Sequence, residues 1–312
     1  MPQGALLFDL PDYPHERWTT HLRKFLPTLD IRATVNDKSA ADIAYCVAWK
    51  PAPGKLRSLP NLKIVFSMGA GVDGIVADPT YPHHIPLARV VDDTLAQAMS
   101  EYVVLSVLYW HRRLHDFIGL QREKKWRQLP APRAPQIRVG ILGFGVLGQA
   151  AARALGPLNY QLSGWSATPK HADGVKTFHG QDQLGAFLAQ SDILVCLLPL
   201  TPETRGILNA KAFAALPKDA CVINAARGGH VVEDDLIRAL DSGHLGGATL
   251  DVFSAEPLPA TSPLWSHPKV VMTAHSAAFT DPESFMRQVA ATIRRMDDGL
   301  APDNVVDFAR GY

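Results

Sequence analysis

The stretch Val139-Gly-Ile-Leu-Gly143-Phe-Gly145-Val-Leu-Gly148-Gln-Ala150 places three glycines between an apolar run and a segment of helical pattern. Glycines at this spacing bind the pyrophosphate of a dinucleotide when they follow a strand and open a helix. Gly143 permits the tight turn, Gly145 lets backbone amides approach a phosphate, and Gly148 lets the helix pack close to the strand. The helix N-terminus adds partial positive charge. An ordinary strand-to-helix turn is the alternative, because glycines occur in turns for many reasons.

Short apolar runs alternate with helix-length segments on both sides of these glycines. From residue 137 onward the runs predict six strands, near 137–142, 160–165, 192–197, 220–224, 246–250 and 270–273. Before that point they predict five, near 5–10, 29–34, 43–48, 63–67 and 87–90. Strands separated by helices are typical of doubly wound parallel sheets. We therefore predict an α/β fold of two Rossmann-like or flavodoxin-like domains with a cleft between them.

A long helical pattern, Leu95 to Gln121, separates the two halves. Its apolar residues on one face are Ala98, Tyr102, Leu105, Leu108 and Tyr109. A proline-rich stretch at 130–135 follows and cannot continue a helix. Helical periodicity returns from Pro282 to Met296, close to the end of the chain.

Length and charge limit the classes of protein to which the chain can belong. Its 312 residues suffice for two domains at roughly 150 residues each. Lys and Arg number 31 and Asp and Glu 30, so the net charge of +1 favours neither a nucleic acid nor a membrane surface as partner. Hydrophobic residues make up 47% and charged residues 20%, which is typical of a soluble globular protein.

The three cysteines, Cys46, Cys196 and Cys221, are too few and too scattered for a disulfide framework or a zinc site. Each lies in an apolar run, which predicts buried thiols in strands. No metal site is predicted, because no Cys-x-x-Cys or His-x-x-Glu-His spacing occurs. No targeting pattern precedes the first apolar run, and the longest apolar stretch, Tyr102 to Trp110, is too short to span a bilayer. A cytoplasmic location is expected.

The end of the second strand after the glycine motif should contact the adenosine ribose of a dinucleotide. An acidic residue there favours NAD, because it accepts a hydrogen bond from the ribose 2′-hydroxyl. The stretch Gly164-Trp-Ser166-Ala-Thr168-Pro-Lys170 has no carboxylate, and Thr168 and Lys170 offer a donor and a cation. We therefore predict that NADPH is preferred over NADH. Alternatively, Ser166 is only a turn residue and both cofactors bind.

Three polar segments follow predicted strands of the second half: Ile223-Asn-Ala-Ala-Arg227-Gly-Gly, Leu250-Asp251-Val-Phe-Ser-Ala-Glu256-Pro and Met272-Thr-Ala-His275-Ser. Ligands of such sheets bind at the carboxyl ends of the strands, where Arg227, Glu256 and His275 can converge. A hydride added to a keto carbon creates an alkoxide, which needs a cation and an acid. Arg227 suits the first need and His275, an imidazole that titrates near neutral pH, the second. Glu256 would orient the imidazole. Taken singly, each could be a turn, core or loop residue without a catalytic role.

In this order, the motifs Gly-x-Gly-x-x-Gly, Ala-Arg-Gly-Gly, Asp-Val-Phe-x-x-Glu-Pro and Thr-x-His resemble those of the D-isomer-specific 2-hydroxyacid dehydrogenases. The resemblance spans nearly the whole chain. Further stretches resemble the bacterial glyoxylate/hydroxypyruvate reductase branch of that family: Trp49-Lys-Pro, Met68-Gly-Ala-Gly71-Val-Asp, Gly164-Trp-Ser, Ser262-Pro-Leu-Trp265 and Arg310-Gly-Tyr312.

The resemblance implies a role for each motif residue. Arg227 would bind the substrate carboxylate and carbonyl, His275 would be the general acid/base, and Glu256 its partner. Asp251 would hold the nicotinamide carboxamide. The resemblance implies that the cofactor cleft is lined by Val146, Leu147, Leu198, Pro199, Thr204, Ala225 and Ala226.

The resemblance also implies roles in the first half of the chain. The amides of Ala70 and Gly71 would bind the substrate carboxylate, since a Gly-flanked turn presents free N–H groups. Trp49 would form a wall of the substrate pocket. Trp126 resembles a residue that family members insert across a two-fold dimer contact.

Two positions depart from the family pattern. Ala274 precedes His275 where the family usually has proline, so the loop lacks a rigid element. Ala167 follows Ser166 where this branch often has arginine, so recognition of a 2′-phosphate depends more on Lys170.

We expect a homodimeric reductase that converts glyoxylate or hydroxypyruvate to glycolate or D-glycerate. Residues 1–95 with 285–312 would form the substrate-binding domain, and 96–284 the dinucleotide-binding domain. A reductase of a bulkier 2-oxo acid and a cofactor-sensing, corepressor-like binding protein are the alternatives.

Overall fold

Two parallel sheets, one of five strands and one of seven, organise residues 4–11 and 13–311, which the computed structural model describes. The chain divides into two units, Met1–Leu95 with Thr280–Tyr312 and Ala96–Phe279. The sequence places the second boundary at 285, whereas the units change before Thr280. The Thr280 hydroxyl donates to the carbonyl of Met68 at 2.8 Å, so this residue is attached to the first unit.

The strands and helices alternate along the chain. The strands are β1 Ala5–Asp9, β2 Ile31–Arg32, β3 Ile43–Ala48, β4 Ile64–Ser67, β5 Leu87–Ala88, β6 Arg138–Leu142, β7 Gln161–Ser166, β8 Val175–His179, β9 Ile193–Cys196, β10 Ala220–Asn224, β11 Leu245–Leu250 and β12 Val270–Met272. The helices are α1 Glu16–Phe25, α2 Asp73–Val76, α3 Asp93–His111, α4 Leu114–Arg122, α5 Val146–Leu155, α6 Gly180–Leu188, α7 Ala210–Ala215, α8 Glu233–Asp241 and α9 Pro282–Asp297.

The first unit is built on the sheet β2-β1-β3-β4-β5, in which every pairing is parallel. The central strand β3 is buried along its whole length, as expected when both faces of a parallel sheet are covered. Helices α1 and α9 pack together, with Trp18 and Phe285 in edge-to-face contact at 6.0 Å between ring centroids. The returning chain therefore completes the hydrophobic core of this unit.

The second unit is built on the sheet β12-β11-β10-β9-β6-β7-β8, also entirely parallel. From the neighbouring strands β6 and β9 the chain continues toward opposite edges of the sheet, to β7 and β8 on one side and to β10, β11 and β12 on the other. Sheets of this class bind ligands at such a switch point. The predicted α/β class is confirmed. One strand was missed, because β8 lies at the edge of the sheet and only Phe178 of its five residues is buried, so the strand forms no apolar run.

The prediction of one continuous helix from Leu95 to Gln121 is wrong. It is divided into α3 and α4 by Arg113, whose backbone is left-handed at φ 60°. The buried face of α3 carries Val103 and Val107. Of the apolar face that the sequence indicates, Tyr102 and Tyr109 pack partly buried against the core of the second unit, whereas Leu105 is 64% exposed.

The three thiols are free and lie in strands, and the prediction that they are buried is confirmed for Cys46 and Cys196 but not for Cys221. Cys46 and Cys196 are fully buried in β3 and β9, and Cys221 is partly buried in β10. Burial raises the pKa of the Cys196 thiol to about 12, so it is protonated at neutral pH. Among residues 4–11 and 13–311, no helix has the length and hydropathy needed to cross a bilayer.

Candidate active site

The turn between β6 and α5 requires glycine at two of its three predicted positions. Gly143 has φ 108°, and a Cβ there would lie 2.5 Å from the carbonyl carbon of Leu197. A Cβ at Gly148 would lie 2.2 Å from the carbonyl oxygen of Gly143. At Gly145 a Cβ would meet no atom within 4 Å, so the turn is open on this side. Val146, the first residue of α5, is half exposed, and the first amides of the helix have no intrahelical acceptor.

The end of β7 has the polar character that the sequence predicts for an adenosine site. The Ser166 hydroxyl donates to the carbonyl of Thr168 at 2.8 Å and shapes the turn after the strand. Thr168 and Lys170 are exposed. The structure assigns no hydrogen bond or ion pair to the Lys170 ammonium among the residues it describes.

A closed loop follows β9. The Thr204 hydroxyl donates to the carbonyl of Pro199 at 2.7 Å and accepts from the amide of Thr201 at 2.8 Å. Leu198, immediately before it, is buried. In this structure Thr204 therefore holds the shape of the loop, and its predicted contact with a cofactor remains a prediction.

The Arg227 loop at the end of β10 is held by two buried polar side chains. The Asn224 amide donates to the carbonyl of Arg227 at 2.9 Å. His230 is fully buried, and its Nε2 lies 3.2 Å from the carbonyl of Pro199, so Nε2 carries a proton and donates. Its Nδ1 lies 3.3 Å from the amide nitrogen and 3.0 Å from the carbonyl oxygen of Arg227. The Arg227 guanidinium donates to the carbonyl of Ala226 at 2.7 Å, and both Ala225 and Ala226 are buried.

Gly228 brings the Arg227 loop against the loop that follows β11. A Cβ at Gly228 would lie 1.8 Å from the carbonyl carbon of Phe253, so the two backbones are in direct contact. The amide of Phe253 donates to Glu256 Oε1 at 3.1 Å. The Arg227 and Glu256 loops are therefore neighbours at one edge of the sheet, as the sequence predicts.

Glu256 and His275 form the pair that the sequence predicts. The distance between Glu256 Oε2 and His275 Nδ1 is 2.9 Å, and their side chains are 24% and 36% exposed. A carboxylate only accepts, so Nδ1 carries the proton of this hydrogen bond. Nε2 is therefore the ring nitrogen that remains for exchange of a proton with a ligand.

The backbone around His275 is fixed by Asp251, which is 1% exposed. The His275 amide donates to the Asp251 carbonyl at 2.7 Å, although the histidine is in the left-handed region at φ 52°. The Asp251 carboxylate accepts from the amides of Ser276 and Ala277 at 2.7 and 3.0 Å. Asp251 thus holds the histidine loop, while its predicted contact with a nicotinamide stays a prediction.

In the first unit, the loop after β4 exposes backbone donors. The Ser67 hydroxyl donates to the carbonyl of Gly71 at 3.0 Å and closes the loop. Within residues 4–11 and 13–311, the amides of Ala70 and Gly71 have no acceptor. The Trp49 ring packs on the same loop, because a Cβ at Gly69 would lie 2.6 Å from its Cζ3 atom.

Comparison with known proteins identifies the family. Residues 104–277 match the D-isomer specific 2-hydroxyacid dehydrogenase, NAD binding domain. The glyoxylate/hydroxypyruvate reductase A of Yersinia enterocolitica is 42% identical over 313 aligned positions, which cover 98% of this chain and 99% of the relative. The chain belongs to the D-isomer specific 2-hydroxyacid dehydrogenases.

Two solved dehydrogenase structures are similar over nearly their whole length. The D-isomer specific 2-hydroxyacid dehydrogenase of Xanthobacter autotrophicus Py2, in complex with NADPH and MES, has a TM-score of 0.95 at 42% identity and covers 99% of this chain and 100% of its own. The NADPH-dependent glyoxylate/hydroxypyruvate reductase of Sinorhizobium meliloti, in complex with NADP and sulfate, has a TM-score of 0.92 at 40% identity with the same coverage.

The sequence did not indicate all residues that hold this dehydrogenase site. Asn224 and His230 were given no role, and Thr273 was quoted only as part of the Thr-x-His motif, although each hydrogen-bonds a residue of a motif or its loop. The only signal for Asn224 was a polar residue at the end of an apolar strand. In the part of the chain that the structure describes, no cluster of three His, Cys, Asp or Glu side chains is arranged to hold a metal.

Proposed function

We propose that this dehydrogenase reduces glyoxylate and hydroxypyruvate to glycolate and D-glycerate with NADPH. The observation that carries the proposal is the Glu256–His275 hydrogen bond of 2.9 Å, on a loop beside that of Arg227. The names of the Yersinia enterocolitica and Sinorhizobium meliloti relatives support the substrate class. Overall, one hydride and one proton are added across the C2 carbonyl of the 2-oxo acid.

His275 supplies the proton. Because its Nδ1–H donates to Glu256, the imidazolium can give up only the Nε2 proton without losing this hydrogen bond. The C2 oxygen takes that proton as negative charge develops on it. Glu256 keeps the ring in the orientation that presents Nε2, and its second oxygen is fixed by the amide of Phe253.

Arg227 binds the anionic side of the substrate. A guanidinium presents a planar fork of donors that fits a carboxylate and also stabilises charge on a neighbouring oxygen. Asn224 and His230 hold the backbone on either side of it, so the cation is preorganised. In the first unit, we propose that the amides of Ala70 and Gly71 also bind a substrate carboxylate and that Trp49 packs against the substrate.

The glycine turn fits a dinucleotide. Gly143 and Gly148 allow the backbone to fold tightly, and the open side of Gly145 leaves room for a pyrophosphate at the N-terminus of α5. Bound NADPH would supply the hydride for C2. We propose that Val146, Leu147, Leu198, Pro199, Thr204, Ala225, Ala226 and Asp251 line this cofactor site. The second unit would then be the dinucleotide-binding domain and the first the substrate-binding domain.

Gly145→Ala is expected to weaken NADPH binding while the protein remains folded. Because no protein atom lies within 4 Å of the added methyl group, the melting temperature should change little. The methyl group occupies the side from which a phosphate approaches, so the Kd for NADPH should rise about tenfold or more. Titration of NADPH fluorescence measures this change. Gly185→Ala, equally free of contacts but on α6 and outside the glycine motif, is the control and should leave Kd unchanged.

The cofactor preference can be tested at Lys170. The turn after β7 has no carboxylate between Ser166 and Lys170, which favours a 2′-phosphate. Lys170→Ala should lower kcat/KM for NADPH about tenfold, because a charge-assisted contact is lost, and change it little for NADH. Lys218→Ala, an exposed lysine elsewhere in this unit, is the control. Equal losses with both cofactors would contradict a contact with the 2′-phosphate.

The proposed reaction is tested by following nicotinamide absorbance with both cofactors against a series of 2-oxo acids. We expect higher kcat/KM for glyoxylate and hydroxypyruvate than for 2-oxo acids with branched or aromatic side chains. Preference for the bulky substrates would replace the proposed substrate class. Cofactor binding without turnover of any 2-oxo acid would favour a cofactor-sensing protein.

We propose that the chain forms a homodimer through the α3 face that carries Leu105 and through the segment that carries Trp126. Leu105 is 64% and Trp126 99% exposed, and Leu114 and Phe117 of α4 are also exposed. Exposed apolar patches of this kind are typical of interaction surfaces. Leu105→Glu should give monomers in light scattering, whereas Leu300→Glu, at an exposed leucine of the first unit, should not. A dimer that survives Leu105→Glu would contradict this interface.

We also propose a cytoplasmic location, with neither nucleic acid nor membrane as a partner. Three free thiols, of which Cys46 and Cys196 are fully buried in strands, are typical of proteins in a reducing compartment. A net charge of +1 offers no general attraction for polyanions. Fractionation of the cells that express the protein tests this location.

A further inference from the structure

A chain of side-chain hydrogen bonds connects α3 with the loop of His275. The Tyr102 hydroxyl lies 2.8 Å from Thr273 Oγ1, and Thr273 Oγ1 donates to Asp251 Oδ1 at 2.6 Å. Because Thr273 has a single proton and gives it to the carboxylate, the Tyr102 hydroxyl is the donor to Thr273. The direction of the chain is therefore from Tyr102 through Thr273 to Asp251.

The Asp251 end of this chain holds three consecutive residues. Its carbonyl accepts from the amide of His275, and its carboxylate from those of Ser276 and Ala277. The left-handed backbone of His275, φ 52°, is costly for a residue with a side chain and persists only where the surroundings impose it. The orientation of the Asp251 carboxylate is therefore coupled to the conformation of the histidine loop.

At the other end of the chain, the Tyr102 hydroxyl keeps its proton and can always donate it in a hydrogen bond. Burial raises the pKa of Tyr102 to about 12, so its hydroxyl stays protonated at neutral pH. Asp251 itself is buried. Its amide donates to the carbonyl of Asn224, the last residue of β10, at 3.0 Å. Both ends of the chain are thus fixed to rigid elements, α3 on one side and the sheet on the other.

We propose that Tyr102 and Thr273 are positioning residues for His275. They orient the Asp251 carboxylate, which holds the loop so that the imidazole meets Glu256. This inference rests on the role proposed for His275 in catalysis. It assigns a function to Tyr102 and Thr273. This function is additional to the roles proposed for the glycine motif and for the side chains of Arg227, Glu256 and His275.

Four variants separate hydrogen bonding from side-chain shape. Thr273→Val keeps the volume and loses the hydroxyl, and Thr273→Ser keeps the hydroxyl. Tyr102→Phe removes the donor, and Tyr109→Phe removes a hydroxyl on the same helix to which the described residues give no hydrogen-bond partner. We expect kcat for glyoxylate to fall about tenfold in Thr273→Val and severalfold in Tyr102→Phe, with little change in KM for NADPH. Thr273→Ser and Tyr109→Phe should match the wild type.

A second readout does not depend on turnover. In ¹⁵N NMR spectra of the histidine rings, the Nδ1–H signal of His275, assigned by its loss in His275→Asn, reports the contact with Glu256. It should shift in Thr273→Val and Tyr102→Phe and stay in place in the other two variants. If the wild type reduces no 2-oxo acid, the proposed function fails while this spectrum still tests the positioning chain.

Two results would overturn the inference. One is wild-type kcat and an unshifted His275 signal in both Thr273→Val and Tyr102→Phe. The other is an equal loss in Thr273→Ser and Thr273→Val, which would mean that packing rather than the hydroxyl matters. Circular dichroism melting establishes that each variant is folded, and Tyr102→Phe carries the test if the valine variant is not.

Discussion

Replacing His275 by asparagine should lower kcat for glyoxylate reduction about a thousandfold, the range expected when a general acid is removed. Asparagine keeps a polar side chain, but its amide is not acidic enough to protonate the substrate oxygen as the Nε2–H of His275 would. The Kd for NADPH should change little, because the glycine turn and the end of β7 remain intact. Steady-state kinetics and a cofactor titration on the same preparation measure the two effects.

A matched control for this variant is His171→Asn, since the His171 side chain is 88% exposed and lies in the same unit. It should retain wild-type kcat. Glu256→Gln should lie between the two, because the amide can still contact Nδ1 but no longer stabilises a positive ring. Retention of more than about a tenth of kcat by His275→Asn would remove the histidine from the proposed role.

The second large effect is expected at Arg227. Arg227→Gln removes the cation and should lower kcat/KM for glyoxylate about a thousandfold, because substrate binding and stabilisation of the oxyanion are lost together. Arg227→Lys restores the charge but not the planar fork, and it should recover only part of the loss. Both kcat and KM are measured, and KM should rise in both variants.

The control for Arg227 is Arg238→Gln in α8. Arg238 is exposed and forms an ion pair with Asp235 one helical turn away, a contact that contributes little to stability. Its loss should leave kcat/KM unchanged. Equal kcat/KM for Arg227→Lys and the wild type would show that charge alone suffices and that the fork geometry is irrelevant.

Much of the fold was predictable because buried parallel strands form continuous apolar runs. Strands β3 and β10 begin and end where the sequence places them, at 43–48 and 220–224. The edge strand β8 has no such run, since only Phe178 of its five residues is buried. The break at Arg113 was not predictable either, because no proline or glycine marks it.

The candidate site was predictable where a motif encodes a steric requirement or a charge. The need for glycine at positions 143 and 148 can be predicted from the spacing of the motif, because a Cβ at either position would clash with backbone atoms. The roles of His230 and Tyr102 depend on partners far along the chain, Pro199 and Thr273. Hydrogen bonds of this kind leave no periodic pattern in the sequence, so only the folded chain reveals them.

The central claim is that hydride reaches C2 of a small 2-oxo acid while His275 protonates its oxygen. The most direct measurement uses NADPH deuterated at both C4 positions, with glyoxylate as substrate and mass spectrometry of the product. We expect glycolate that carries one deuterium for each NADPH consumed, and almost none formed by His275→Asn. Consumption of NADPH without deuterium in glycolate, or equal yields from the wild type and the variant, would contradict the account.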